Sequence, residues 1–396
     1  MKINILPNLY LKNDGTFDKQ KAFIQSGKIA GVCYNKEGYE NLDQEPIEKT
    51  IKRIDRTLQS GHHSVYDHIN ISMYIEDIPK ILAMVINNEK QYTTSEKSAR
   101  YTPIESKNNG VITELEEQLY WKWVNIFKIK IKSQYGNLYS DFKINTLAQE
   151  NARYLISVFM PTKMVYTTTI RQLNYLASWF QDYIKKFDNS NDYLENNLCK
   201  YMKQFIEELD RLNILEPDLM KNEKKRKISL FGENLNKITD YYSNVYSTNY
   251  NMSFAALAQA QRHRTLNYQL ERTKEKEYFI PPIIEEDLML KDEWLEDLDK
   301  VKNLVPSGEK VLINETGTYE NFILKLKERL CSEAQLEIML QTKETLNKYK
   351  QFLEQNNNPL KDEIVNYTHG ARCTFPDYKC SKDCQNKEGK RLIRKI

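Results

Sequence analysis

Four of the five histidines of this 396-residue chain fall in two short segments. One is Gly61-His62-His63-Ser64-Val65-Tyr66-Asp67-His68 and the other is Gln261-Arg262-His263-Arg264; the fifth is His369. Two guanidiniums flanking an imidazole make a compact cationic site, and guanidinium grips phosphate through paired hydrogen bonds. Ala255, Ala256, Ala258 and Ala260 precede it and allow close approach of a packing partner or ligand. Taken by itself, the triplet also fits a solvated basic helix end. Ser95-Glu96-Lys97-Ser98-Ala99-Arg100-Tyr101 offers a second anion site. The Ser98 hydroxyl, Arg100 and the amides between them suit one phosphate, and Glu96 suits a sugar hydroxyl. By itself this segment also fits a polar loop. His369, Cys373, Cys380 and Cys384 bring four soft ligands into one short tail. That set suits zinc, although the spacing is not a common paired knuckle and a reduced thiol group is the alternative.

These residues need elements to position them. Apolar spacing predicts helices over 47–59, 78–88, 113–135 and 170–186, and alternation predicts a strand over 69–75. The second half shows an Ala-rich helix over 254–264 and one long helix from Tyr319 to about Leu353. Glu216-Pro217 followed by the charged run 221–227 marks a domain boundary, although a solvated helix face is the alternative. The expected domains are 1–215 and 228–355, with an irregular tail over 356–396.

Composition sets limits. Net charge is only +3, which argues against a general nucleic-acid coat. No apolar run reaches the roughly 20 residues of a membrane span, and residues 1–7 do not resemble a signal peptide. The cytoplasm is the expected compartment. The chain is long enough for two domains.

The two anion sites complement each other, and together they resemble the flavin-dependent thymidylate synthases. That family carries Arg-His-Arg, seven residues, then Ser, with Glu two before the Ser and Arg two after it. In the first half, Asn88-Glu89-Lys90 holds the Arg-His-Arg place, while Glu96, Ser98 and Arg100 complete the tail of the motif. In the second half Arg262-His263-Arg264 is intact, but Arg272 stands where Ser belongs. The Gly61–His68 segment resembles the family's Gly-His-x-Ser/Thr-x-x-Glu-His stretch, with Asp67 in the Glu place. Arg153 matches a nucleotide-binding arginine, Asn174 a flavin-contacting asparagine, and Gln259 a nucleotide-contacting glutamine. Trp179 replaces the arginine that contacts the pyrimidine. Arg329, followed by Gln335 and Glu337, restores that pattern in the second half, where Leu324 takes the place of the flavin asparagine.

The resemblance implies an α+β fold of two related helix-rich domains, each with a small antiparallel sheet, of the thymidylate-synthase-complementing type. It implies reductive methylation of dUMP to dTMP with FAD, NADPH and methylenetetrahydrofolate. Glu96, Ser98, Arg100, Arg153, Gln259, Arg262 and Arg329 would hold dUMP. His62, Ser64, Asp67, Arg171, Asn174, His263 and Arg264 would contact FAD. The family builds each site where subunits of a homotetramer meet. Two degenerate halves would then share one composite site, in a homodimer standing in for the tetramer. The alternatives are an inactive nucleotide-binding homologue, an enzyme for another pyrimidine nucleotide, or a nucleic-acid-binding protein using Arg262–Arg264 and a zinc tail.

Overall fold

The computed structural model describes residues 1–33, 35–36, 38–97, 104, 112–221, 229–381 and 384–396. Along the chain lie β1 (Lys2–Ile5), α1 (Lys19–Gly31), α2 (Tyr39–Asp43), α3 (Ile47–Gln59), β2 (Asn70–Pro79), α4 (Lys80–Ile86) and β3 (Thr93–Glu96). Then come α5 (Glu114–Tyr135), α6 (Asp141–Ala152), β4 (Pro161–Thr169), α7 (Ile170–Phe187), α8 (Tyr193–Arg211) and α9 (Pro217–Met220). The later part holds β5 (Tyr241–Tyr242), β6 (Val245–Ser253), α10 (Phe254–Ala260), β7 (Asn267–Glu271), α11 (Pro282–Glu285) and α12 (Leu288–Lys300). It continues through β8 (Lys310–Thr318), α13 (Tyr319–Arg329) and α14 (Leu336–Gln355). Among the described residues no helix is long and apolar enough to cross a membrane.

The chain divides into two compact units. The first is Met1–Lys97 with Pro161–Ile228; the second is Ser98–Met160 with Ser229–Ile396. The first unit holds a four-stranded antiparallel sheet in the order β1-β2-β4-β3. Ile71, Met73, Ile75, Met164 and Tyr166 line its buried face, and Leu173, Leu176 and Phe180 of α7 join the same core. Thr169 caps α7 by accepting from the Gln172 amide.

The second unit repeats this plan, with an antiparallel sheet in the order β5-β6-β8-β7. Thr318 caps α13 as Thr169 caps α7. Counted from these caps, the strand pairings coincide. Thr93 faces Thr167 and Asn267 faces Thr316, each two residues before its cap. Pro79 faces Pro161 and Ser253 faces Lys310, each eight before. The two sheets therefore share one register, apart from an irregularity between Ile75 and Ile78 that lengthens β2 by one residue.

Residues 98–160 fall outside the sequence-based division at 216–227. The reason is a shared core: Trp123 and Phe127 of α5 pack edge-on against Trp294 of α12, the two indoles 4.7 Å apart. The Trp123 indole also donates to Asp297 at 2.9 Å.

The expected continuous helix from 319 to 353 is broken. Residues 330–335 form a turn, and the Gln335 side chain caps α14 by accepting from Ile338 at 3.0 Å. The tail fixes this turn from outside. Arg372 donates its amide to Leu330 and its guanidinium to Lys327, at 2.7 and 2.9 Å, and Arg394 donates to the Ala334 carbonyl. The tail is thus irregular but packed, with Arg394 and Ile396 buried.

Candidate functional site

The second unit assembles the intact triplet. Helix α10 is short and Ala-rich, begins at the Ser253 cap, and stops at Ala260. Two tight turns follow, His263 N–H to Ala260 O and Leu266 N–H to His263 O. They leave Arg262 and Arg264 exposed and turn His263 inward. There Arg329 donates from Nε to His263 Nε2 at 2.6 Å and from Nη2 to the Gln259 carbonyl at 3.0 Å. Burial, with Arg329 and then Lys325 adding repulsion, pushes the His263 value down to about 2. The ring is therefore neutral and accepts at Nε2, which places its proton on Nδ1.

Three predicted residues, Gln259, His263 and Arg329, thus meet in one place. Glu337 does something the motif alone does not reveal. It accepts from the Ser253 amide, the Ser253 hydroxyl and the Tyr154 hydroxyl, at 2.7, 2.6 and 2.9 Å. Gln335 donates to the same Tyr154 hydroxyl. The Gln-x-Glu pair thereby ties the start of α14 to the cap of α10. Burial raises the Glu337 carboxyl above its ordinary value.

Arg153 also belongs to the second unit, where it closes α6. Its guanidinium is largely desolvated, which lowers its value to about 10, against opposing effects of Tyr120 and Glu150. The sequence reading grouped Arg153 with the first half; folding groups it with Gln259, Arg262 and Arg329.

The first unit carries the other residues. Glu96 closes β3 and pairs with Lys80 of α4 at 2.5 Å. Ser98 and Arg100 lie outside the described residues. His62, Ser64 and Asp67 are exposed along the turn before β2, while His63 and Tyr66 point into the core. Asp67 accepts from Thr169 at 2.9 Å and pairs with Arg171 at 2.5 Å, which ties this turn to the start of α7. Glu89, in the place of His263, is buried, and its carbonyl accepts from Gln172 of α7 at 3.2 Å. Both triplets begin eight residues after the first residue of their short helix, so the structure aligns Asn88-Glu89-Lys90 with Arg262-His263-Arg264.

Three details differ from expectation. Asn174 is fully buried, and its amide is committed within the unit. Nδ2 donates to the Ile170 and Ile214 carbonyls at 2.9 and 3.2 Å, and Oδ1 accepts from Glu216 N–H at 2.6 Å. Counting from the two caps, the place of Asn174 falls on Ile323, one residue before Leu324, and the place of Trp179 falls on Glu328, one before Arg329. In the tail, the expected quartet of His369, Cys373, Cys380 and Cys384 is not brought together as a ligand set. Among the described residues no group of three or more His, Cys, Asp or Glu side chains is placed to hold a metal ion. The tail instead uses its side chains as anchors: Asp377 pairs with Lys327 at 2.5 Å, and Asn386 donates to Tyr139 at 2.8 Å.

Sequence reasoning missed the charged layer beneath His263. Lys325 and Glu315 are fully buried and paired at 2.5 Å. Tyr246 and Tyr250 donate to the two Glu315 oxygens at 2.6 and 2.5 Å. On an amphipathic helix such a lysine reads as solvent-facing, and only the fold shows otherwise.

Residues 19–180 match the family model described as thymidylate synthase complementing protein. The chain is also similar to the flavin-dependent thymidylate synthase of Pyrococcus furiosus, 24% identical over 148 residues, covering 36% of this chain and 57% of that protein. The corresponding protein of Thermococcus onnurineus is 26% identical over 145 residues, covering 35% and 56%. The chain thus spans little more than half the length of these curated relatives. The match runs through β2, α4, β3, β4 and most of α7, the elements whose register the second unit repeats. Through residues 19–180, this chain thus resembles the thymidylate synthase complementing protein family.

Proposed function

We propose that the chain converts dUMP to dTMP by flavin-dependent reductive methylation, with methylenetetrahydrofolate as carbon donor and NADPH as reductant. The observation that carries this reading is the Arg329–His263–Gln259 cluster, set in a unit whose register repeats that of the family-matched half. The ligand set is drawn from both halves of the sequence. Glu96, Ser98 and Arg100 supply the tail of the motif, and Arg153, Gln259, Arg262 and Arg329 supply its head and the arginine for the pyrimidine. Arg262 is exposed and suited to phosphate.

The residues proposed for FAD fit a polar, anionic group. His62 and Ser64 are exposed beside Asp67 and Arg171, at the first turn of an 18-residue helix whose N-terminus favours negative charge. His263 and Arg264 would contribute from the second unit. Bound FAD supplies the hydride that completes the methyl group; the protein supplies charge and orientation. Asn174 acts from the core, by joining α7 to residues 214–216. A homodimer in the cytoplasm, standing in for the family's tetramer, completes the proposal.

Purified protein tests it. The expected result is a yellow protein that forms dTMP from dUMP, methylenetetrahydrofolate and NADPH. Protein without flavin, or with flavin but no dTMP formed, contradicts the reading.

A further inference from the structure

The two units provide an internal control for the charged layer beneath His263. Counted from the Thr169 and Thr318 caps and from the shared strand register, Glu315 corresponds to Tyr166 and Lys325 to Leu176. Tyr246 faces Gly317 and Tyr250 faces Ile313; the counterparts are Ile71 facing Thr168 and Ile75 facing Met164. All four counterparts are fully buried. The same fold position is therefore filled by Ile, Ile, Tyr and Leu in one unit and by a Lys–Glu–Tyr–Tyr network in the other. An uncharged solution exists in this very architecture, with the Tyr166 hydroxyl donating to the Ile86 carbonyl, and it avoids the desolvation of two ions. Stability alone does not explain the charged one.

Its place suggests what it does. Lys325 and Arg329 lie one turn apart on α13, so the Lys325–Glu315 pair fixes that helix against β8 within one turn of the Arg329–His263 contact. Glu315 also cancels the Lys325 charge. Without it, two neighbouring cations would face one imidazole. The two tyrosine hydroxyls donate one to each Glu315 oxygen and hold the carboxylate in one orientation.

We propose that Lys325, Glu315, Tyr246 and Tyr250 are positioning residues for nucleotide recognition: they pin α13 so that Arg329 is held on His263. The inference builds on the thymidylate-synthase reading, but its structural half is tested without turnover. The chain has only five histidines, so nitrogen-15 labelling of histidine resolves His263, assigned by its loss in His263→Gln. The probe variant is the neutral, similarly shaped pair Lys325→Met with Glu315→Gln. Tyr246→Phe with Tyr250→Phe is the second variant, should the first fail to fold.

The expected result in either variant is a thermal midpoint close to the parent's. The His263 Nε2 resonance moves toward that of an unbonded acceptor. The KM for dUMP rises about tenfold, the scale of one charge-assisted hydrogen bond, with flavin content unchanged. An Nε2 resonance and a dUMP KM that both stay at parent values overturn the proposal. Loss of folded protein in both variants also overturns it, because the network would then serve stability rather than position. A parent that never turns over dUMP sinks the functional reading, while the nitrogen shift still decides whether the network holds Arg329.

Discussion

Arg329 donates from Nε to Nε2 of His263 at 2.6 Å, joining the end of α13 to the turn after α10. The contact links two motif residues 66 positions apart. It requires a neutral imidazole, because a protonated ring has no lone pair at Nε2 to accept with.

The first consequence is a pH dependence of stability. His263 falls from an ordinary value of 6.5 to about 2 in the folded chain. A base whose folded value is depressed takes up its proton in the unfolded chain first. Its stabilising contribution is therefore complete above about pH 6.5 and is lost as pH falls from there toward 2. His263→Gln keeps an acceptor for Arg329 and does not titrate. Denaturation midpoints measured from pH 7 to pH 4 should fall more steeply in the parent than in this variant. Parallel slopes would show that His263 already carries its proton in the fold.

Arg329→Ala removes the guanidinium from both His263 and the Gln259 carbonyl. Charge-assisted hydrogen bonds contribute about 1.5–3 kcal/mol, so dUMP affinity should weaken about 10- to 100-fold. Isothermal titration with dUMP reads this directly. Unchanged affinity removes Arg329 from the nucleotide site.

Glu337→Ala leaves the Ser253 amide and hydroxyl and the Tyr154 hydroxyl without their acceptor. Stranded buried donors cost about 1–3 kcal/mol each before relaxation, so a loss of about 3 kcal/mol is expected in urea denaturation. A loss under about 1 kcal/mol would mean that Glu337 does not hold the α10 cap.

Trp123→Ala and Trp294→Ala should each cost about 3–5 kcal/mol, the range for a buried aromatic. Their effects should not add, because the indoles touch. Additive losses would separate α5 from the core of the second unit.

Much of this fold was legible in the sequence. The 47–59 helix is found where its apolar spacing placed it, and Asn88-Glu89-Lys90 stands in matching register with Arg262-His263-Arg264. What escaped was long-range. Residues 330–335 keep enough apolar character to read as helix, and the turn there is fixed by Gln335 together with Arg372 and Arg394 from the distant tail. Residues 98–160 precede the compositional boundary, yet Trp123 finds its partner in Trp294. Asn174 was singled out by its match to a flavin-contacting asparagine, but two of its three internal hydrogen bonds depend on the distant residues Ile214 and Glu216. Lys325 carries no local sign of being buried; its partner Glu315 lies in the preceding strand.

The central claim is thymidylate synthesis by a ligand set divided between the two halves, and growth tests it most directly. The parent gene, Arg262→Ala and Glu96→Ala are each expressed in a thymidine-requiring strain, with equal protein levels confirmed. The account predicts growth without thymidine for the parent and none, or severely slowed growth, for either variant, one from each half. A parent that fails to support growth, or variants that support it as well as the parent, would contradict it.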